Sequence, residues 1–542
     1  MDRKGSDSMK IKAMMLSGLL ITALQACSLS GAAAAGKGRL VFIPHDNRPI
    51  SCEDTADVAR AAGYEVVIPP QELLSGGVDK PGDPDKLWQW AKENVRGADA
   101  AMFSSDSMVY GGLVPSRKHE LEEQTLAARV QEFAQLRQEN PRLKLYVFDS
   151  IMRTPKSGMY SGNAEPAYYQ PYGADIFQYS ALADKKSLQG LTAAEEQAMA
   201  QHEQAVPQEV WQDWRARRAK NVKVSEQLVD LTRQGVIDYL VVGKDDNAPY
   251  SQTHHEGLLM EDYGKGLPDT RYQVLAGIDE FGALLLSRAV NDAEKEIPFI
   301  YVQYNKGKGA DTVPGYSDTR IDATIRASVR TAGGLVVNTP ERADFVLLVN
   351  TNEDGRTGEA NLVTAAKGNL ANNGVNRGTT KYFTQQVNDY VAAGKAVGIA
   401  DIAFANGADN ALLKSLQAGG LLYKIRAYAG WNTPTNSTGF VIATGLLSGR
   451  MPDDACDNLL TKRYLDDWGY QANVRTKMAA SIAGFRRWDV YSNMGSYETG
   501  IVNRINTLMR EFAVTNLPPY AALENLRVTL PWHRMFEAKF NY

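Results

Sequence analysis

From Gly38 onward the chain repeats one pattern: a short apolar run, a few polar residues, then a stretch with helical spacing. The runs are RLVFIP (39–44), YEVVIP (64–69), DAAMFS (99–104), KLYVFD (144–149), DYLVVG (238–243), YQVLAG (272–277), PFIYVQY (298–304), GLVVN (334–338), DFVLLVN (344–350), AVGIAD (396–401) and YKIRAY (423–428). Such runs are continuously apolar rather than alternating, as strands are when helices cover both faces of a parallel sheet. The pattern predicts an α/β fold of parallel strands alternating with helices. Eleven strands exceed the eight of a single (β/α)8 barrel. We therefore expect two doubly wound, Rossmann-like units, 38–275 and 276–448, with an elaborated (β/α)8 barrel as the alternative.

Two regions break the alternation. Residues 156–222 read as a helical insertion that starts with a Tyr-rich loop (MYSGNAEPAYYQPYGADIFQY). One of its helices opens with the capping box Thr192-Ala-Ala-Glu195. An insertion of this length beside strand ends commonly forms a lid or a substrate-binding subdomain. Residues 449–542 read as mainly helical and carry Trp468, Trp488 and Trp532.

The first 35 residues have a different character. Lys10 and Lys12 precede an apolar core, Ala13 to Leu24, and then Leu24-Gln25-Ala26-Cys27 and a run of small residues. That is the order of a signal peptide, and the core falls short of the roughly 20 apolar residues that span a bilayer. Leu-x-Ala-Cys resembles the bacterial lipobox, which implies lipidation at Cys27 and an extracytoplasmic protein anchored by its lipid. Cleavage after the AAAA run, giving a secreted or periplasmic form, is the alternative.

With 44% hydrophobic and 23% charged residues the chain is an ordinary globular protein. A net charge of −4 without basic stretches excludes the footprint of a nucleic-acid binder. Beyond Cys27 the thiols are Cys52 and Cys456. In an oxidising compartment they form either one disulfide or two separate buried thiols.

The candidate chemistry lies in the polar residues at the end of each apolar run. The first run ends in His45-Asp46-Asn47-Arg48, the third in Ser105-Asp106 with Tyr110 shortly after, and the fourth in Asp149-Ser150-Ile151-Met152-Arg153. The fifth ends in Lys244-Asp245-Asp246-Asn247 and the sixth leads to Asp279-Glu280. Later ones supply Asn350, then Asp401 with Asn406, then Tyr428 and Gly430-Trp431-Asn432-Thr433 with Asn436. Ligands bind beyond the carboxyl ends of parallel strands, so these residues point to one composite polar site. Any one Asp after a strand also reads as a helix N-cap. Asp245-Asp246 is the sharpest feature, because adjacent carboxylates repel and need a cation, hydrogen bonds or a raised pKa. Groups tuned apart in this way serve as general acid and base. The candidate catalytic residues are Asp245, Asp246, Asp279, Glu280 and Asp106. The candidate binding residues are Asp46, Arg48, Tyr110, Arg153, Asn350, Asp401, Asn406, Tyr428, Trp431, Asn432 and Asn436. Trp431 beside amides suits a sugar ring, or else packs in the core.

His254-His255-Glu256 and His45 raise the question of zinc, but no HExxH or paired-Cys spacing is present among only 6 His. No Walker loop and no GxGxxG after a strand occurs, which argues against nucleotide cofactors, and no G-x-S-x-G elbow is present for a Ser nucleophile; the expected site has no metal and no cofactor.

Taken together, these motifs resemble the bacterial family known as domain of unknown function 4127 over nearly the whole mature chain. The family's P-L-D-D-R-P opening corresponds to Pro44-His45-Asp46-Asn47-Arg48-Pro49, with Asn47 in place of the second Asp. Its D-x-x-x-Y-G-G-L segment corresponds to Asp106, Tyr110, Gly111 and Gly112, and its I-M-R element to Arg153. The D-D pair is Asp245 and Asp246, and the A-D-E element is Ile278-Asp279-Glu280. Further matches run from Ala400 to Gly407, Tyr428 to Asn436 and Leu530 to Glu537. The resemblance implies which strand-end residues share a pattern and names no substrate.

The expected function is an extracytoplasmic glycan-active hydrolase with two carboxyls flanking the scissile bond. One carboxyl comes from Asp245/Asp246 and one from Asp279/Glu280 or Asp106. Arg48 and Arg153 suggest an acidic sugar, since Arg offers a bidentate fork to anions. The expected partner is a small-molecule or glycan substrate, with no nucleic acid and membrane contact only through the lipid. A non-catalytic glycan- or solute-binding lipoprotein and a divalent-metal-dependent hydrolase are the alternatives.

Overall fold

The computed structural model of the chain describes residues 37–156, 164–362, 370–482, 493–517 and 521–542. The expected signal segment with Cys27, the start of the Tyr-rich stretch and Trp488 lie outside the described residues. Gly38–Tyr542 forms one compact unit.

Every apolar run contributes a strand. They are β1 (Arg39–Ile43), β2 (Glu65–Val67), β3 (Ala100–Ser104), β4 (Lys144–Ile151), β5 (Tyr239–Lys244), β6 (Tyr272–Ala276), β7 (Phe299–Tyr304), β8 (Leu335–Val337) and β9 (Phe345–Asn350). A short β10 (Gly358–Glu359) comes next, then β11 (Val397–Asp401), β12 (Phe404–Ala405) and β13 (Ala427–Ala429). β3, β5, β9 and β11 are buried at every position, which is why they read as unbroken apolar runs.

The first sheet has the order β2-β1-β3-β4-β5-β6 and the second β13-β11-β9-β7-β8, with every pair parallel. Each chain path starts in the sheet interior, moves one way and then reverses. The reversals fall between β1 and β3 and between β7 and β9, and at such points the carboxyl ends open a crevice. Two doubly wound sheets are thus present, in agreement with the pattern.

The sheets share one core. Leu40, Phe42, Tyr146 and Val241 from the first belong to the same buried cluster as Phe345, Leu347 and Val349 from the second. Helix Phe281–Glu294 packs on β1, β3, β4 and on helix Pro434–Leu447, which in turn packs on β9, β11 and β13. Both helices are buried over most of their length, apolar residues together with polar ones such as Ser287, Asn291 and Thr438. Each fully buried leucine of Leu284-Leu285-Leu286 contributes roughly 2 kcal/mol. Close packing also needs small residues: a Cβ on Gly398 or Gly445 would come within 2.2 or 2.1 Å of the Phe345 ring.

Three local expectations change. The last parallel strand sits at Ala427–Ala429 rather than 423–428, because Leu421–Lys424 closes a turn and pairing starts only where Arg426 N donates to Val397 O (2.7 Å). Part of the expected Tyr-rich loop is helix, Tyr169–Gln189, which buries Tyr169, Gly173, Ile176, Phe177, Ser180 and Asp184 along one face. The carboxyl-terminal region has helices but ends in an antiparallel hairpin, β14 (Arg527–Thr529) with β15 (Lys539–Asn541). The Thr192/Glu195 capping box is formed on both sides. Cys52 and Cys456 are separate buried thiols, and burial pushes them up to about 12 and about 11.

Candidate functional site

The turn after β1 folds on itself because Asp46 accepts from the backbone N of Arg48 (3.1 Å). The same carboxylate accepts from Arg48 Nε (2.9 Å), and Arg48 Nη2 reaches Asp279 Oδ1 beyond β6 (2.6 Å). His45 Nε2 lies 3.1 Å from that oxygen and 3.5 Å from Asp46. All four side chains are buried. Burial opposes ionisation of Asp279, but Arg48 and His45 outweigh it and hold its carboxyl well below the usual range. Burial likewise opposes charge on His45, yet Asp46 and Asp279 raise it above an ordinary imidazole.

The hairpin β14–β15 brings Trp532 to this group. Its indole N–H donates to Asn47 Oδ1 (2.7 Å), and its ring lies 5.7 Å from the Arg48 guanidinium and 4.6 Å from that of Arg534. Both distances suit cation–π attraction.

A second group forms beyond β4 and β5. Asp245 pairs with Arg117, and Arg153 Nη1 lies 2.6 Å from Asp246 Oδ2. Glu165 bridges the two arginines, 3.4 Å from Arg117 Nη1 and 2.5 Å from Arg153 Nε. Burial raises Asp245, and neighbouring Asp246 and Asp279 add to this against Arg117 and Arg153. Asp279 therefore acts electrostatically on both groups.

The second sheet closes the circuit. Asn432, after β13, donates to Asp279 Oδ2 (3.4 Å), and its carbonyl accepts from Asn406 N (2.7 Å). Asn406, after β12, donates to Glu359 Oε2 on β10 (2.9 Å). Glu359 Oε1 accepts from Tyr316 OH (3.0 Å), and the Tyr316 carbonyl accepts from Asn247 N beside Asp246 (3.2 Å). Burial, then Glu359 and Asp246, raise the Tyr316 phenol.

Backbone strain marks the same place. Among the described residues, seven non-glycine residues have positive φ. Lys295 ends a helix in the left-handed conformation. The others are Asp246 (36°), Tyr316 (64°), Asn406 (61°), Asn432 (55°), Trp532 (63°) and His533 (53°). Five of these carry the contacts just described and the sixth follows Trp532. A left-handed residue with a Cβ costs about 1–2 kcal/mol, and such strain persists where the surroundings enforce it, typically at functional sites.

The remaining sequence candidates make their side-chain hydrogen bonds outside this network, although Asp279 acts on Glu280 and His45 on Asp106 through charge. Asp106 is fully buried, accepts from Ser150 Oγ (2.7 Å), and burial with Asp149 pushes it up to about 7. Tyr110 is buried with its ring 4.9 Å from His119. Glu280 is buried against Asn436 Nδ2 (2.7 Å), and burial pushes it up to about 8. Its neighbours must be glycines, since a Cβ on Gly277 or Gly439 would come within 2.1 or 2.3 Å of it. Asn436 also completes a capping box with Thr433 at the start of helix Pro434–Leu447. Asn350 and Tyr428 both donate to Asp401 (2.9 and 2.8 Å), whose other contact is the backbone N of Asp409. Trp431 is buried against Phe440 and Phe536. Apart from Asp106 Oδ2, which is buried without a hydrogen-bond partner among the described residues, these groups bond to one another or to nearby backbone at the strand ends.

Sequence reasoning missed Arg117, Glu165, Tyr316 and Glu359, which follow no strand of the pattern it recognised. Among the described residues no group of three or more His, Cys, Asp or Glu is arranged to hold a metal ion, and no helix is long and apolar enough to cross a membrane.

The family described as protein of unknown function DUF4127 matches residues 40–541. No curated protein matches the chain.

Proposed function

The chain belongs to the DUF4127 family of proteins of unknown function, and we propose that it is an extracytoplasmic glycan-active hydrolase whose carboxylates cleave a glycosidic bond. The observation that carries the reading is the strained polar network where the two sheets' strand ends meet. It offers closely spaced carboxylates, amides, a phenol and an indole, the mixture that a hydroxyl-rich sugar with an apolar face requires. Carboxylates also stabilise the positive charge that develops on the sugar in an oxocarbenium-like transition state. The signal-like first 35 residues support a location where glycans are met.

Asp246 is the carboxylate best placed to face substrate. Its side chain is 25% exposed, against 9% for Asp245 and 7% for Asp279, and its charge is matched by Arg153. It acts as nucleophile or base. The arginine forks that suggested an acidic sugar are engaged by Asp46, Asp279, Glu165 and Asp246. A neutral glycan is the better fit.

The test is a screen of aryl-glycosides and natural glycans with the wild type and Asp246→Asn. Asn tolerates the left-handed backbone at this position, so the fold should survive. The variant should lose roughly 10²–10⁴-fold in rate, as when a positioned acid–base group is removed. Full turnover by the variant would refute the role of Asp246. Binding without turnover by the wild type would favour a binding lipoprotein instead.

A further inference from the structure

Cleaving a glycosidic bond to a poor leaving group requires a proton on the departing oxygen. The donors expected from sequence do not suit that task. Arg48 and His45 hold Asp279 in its ionised form. Glu280 and Asp106 are 1% and 0% exposed, so neither carboxyl reaches a surface where a glycosidic oxygen could lie.

We propose that Glu359 is the proton donor of this site and that Tyr316 and Asn406 position it. The assignment rests on the hydrolase reading above. Glu359 sits on β10, a two-residue strand held in register beside β12 (Gly358 opposite Phe404, Glu359 opposite Ala405). That pairing places Asn406 one residue beyond the carboxyl's partner strand, where its amide reaches Oε2 (2.9 Å). The Tyr316 hydroxyl reaches Oε1 (3.0 Å) and the Tyr316 carbonyl ties the same residue to Asn247, next to Asp246. Both positioning residues have left-handed backbones, at 64° and 61°. Two strained residues thus aim their polar groups at one carboxyl. Glu359 is half-buried rather than sealed.

The electrostatics agree. Burial raises Glu359, against the hydrogen bonds from Asn406 and Tyr316. No arginine or lysine bonds its oxygens among the described residues; Arg475 acts on it only through charge. Asp246, by contrast, has Arg153 at 2.6 Å. One carboxyl held by neutral donors and one held by a guanidinium is the pairing that acid–base cleavage of a glycoside uses.

In the cleaving step the Glu359 proton passes to the glycosidic oxygen as the bond from that oxygen to the anomeric carbon breaks. The bond's electron pair stays on the departing oxygen, which leaves as an alcohol. Water supplies the new oxygen–carbon bond, and its released proton restores Glu359, directly or through Asp246 and solvent. One water is consumed in each turnover, and both carboxyls end as they began.

The experiment uses the full chain and a pair of glycosides of one sugar, one with a dinitrophenyl and one with a methyl leaving group. Glu359→Gln should lose about 10²–10⁴-fold on the methyl glycoside and less than about tenfold on the dinitrophenyl one, whose departure needs no proton. Asp246→Asn should lose on both. The alkaline limb of the wild-type rate profile should vanish in Glu359→Gln. In Tyr316→Phe it should move to higher pH, because a hydrogen bond that favours the ionised carboxyl is gone. Equal losses of Glu359→Gln on both substrates, or an unmoved alkaline limb in Tyr316→Phe, would overturn the assignment while leaving the hydrolase intact. A wild type that cleaves no glycoside would instead remove the hydrolase reading, and the assignment with it.

Discussion

Arg48 should be a stability keystone, and replacing it with Ala tests the electrostatic account of the site. Its guanidinium touches Asp46 at 2.9 Å and Asp279 at 2.6 Å, and all three residues are 7% exposed or less. Removing one partner of a buried ion pair leaves an uncompensated charge and costs about 3–5 kcal/mol. Loss of the contact with Trp532 adds about 1 kcal/mol. Unfolding a unit of about 500 residues releases about 1 kcal/mol/K of entropy at roughly 2 cal/mol/K per residue. The melting temperature of Arg48→Ala should therefore fall by about 4–6 °C in scanning calorimetry at pH 7. The pH dependence has a definite sign. Asp279 is held below the usual carboxylate range, so its contribution is present above its unfolded value near 3.9 and is lost as pH falls. The gap between wild type and variant should narrow below about pH 4. The double variant Arg48→Ala/Asp279→Asn should recover part of the loss, since it removes one of the two stranded charges. A drop under about 1 °C at pH 7, or a gap that widens in acid, would refute the reasoning.

Asp106→Asn should gain stability relative to wild type as pH rises. The folded Asp106 is pushed up to about 7 by burial beside Asp149, so the wild type loses stability between its unfolded value near 4 and pH 7. Melting temperatures from pH 4 to pH 8 should show the variant's relative position improving and then levelling; a constant difference would contradict the shift. Cys27→Ser should move the protein from the membrane fraction to the soluble exported fraction and abolish incorporation of labelled fatty acid. Unchanged partitioning would leave cleavage at the AAAA run as the better account of the amino terminus.

The fold was largely legible because parallel strands covered on both faces must be continuously apolar, and that pattern is local. Even so, the last strand slipped toward Ala427–Ala429, because its start depends on the Arg426–Val397 pairing and not on its own residues. The helix at Tyr169–Gln189 was obscured by tyrosines and a Gly-Pro-rich sequence that resembles a loop. Strand-end polar residues were also legible, yet residues of the same type met different fates. Asp279 joined Arg48, whereas Asp401 became the acceptor for Asn350 and Tyr428. Trp431 went to the core, while Trp532, which the pattern placed in a mainly helical tail, came to lie beside Arg48.

Local residue order was enough to establish two kinds of fact about this protein: where buried strands run and which polar groups stand at their ends. Strand identity follows from the solvation of each short segment, and strand-end polarity follows from the exposure of that edge. Which of those groups meet is a different matter. Glu359, Tyr316, Arg117 and Glu165 have no periodic signature, and they reach the site only because two sheets share one core and bring distant loops together. The left-handed backbone of Tyr316 and the raised carboxyl of Glu359 arise among neighbours far away in sequence. Burial and Coulomb interaction depend on distance in space, so tertiary packing alone decided which carboxyl is lowered, as Asp279 is, and which is raised, as Glu359 is.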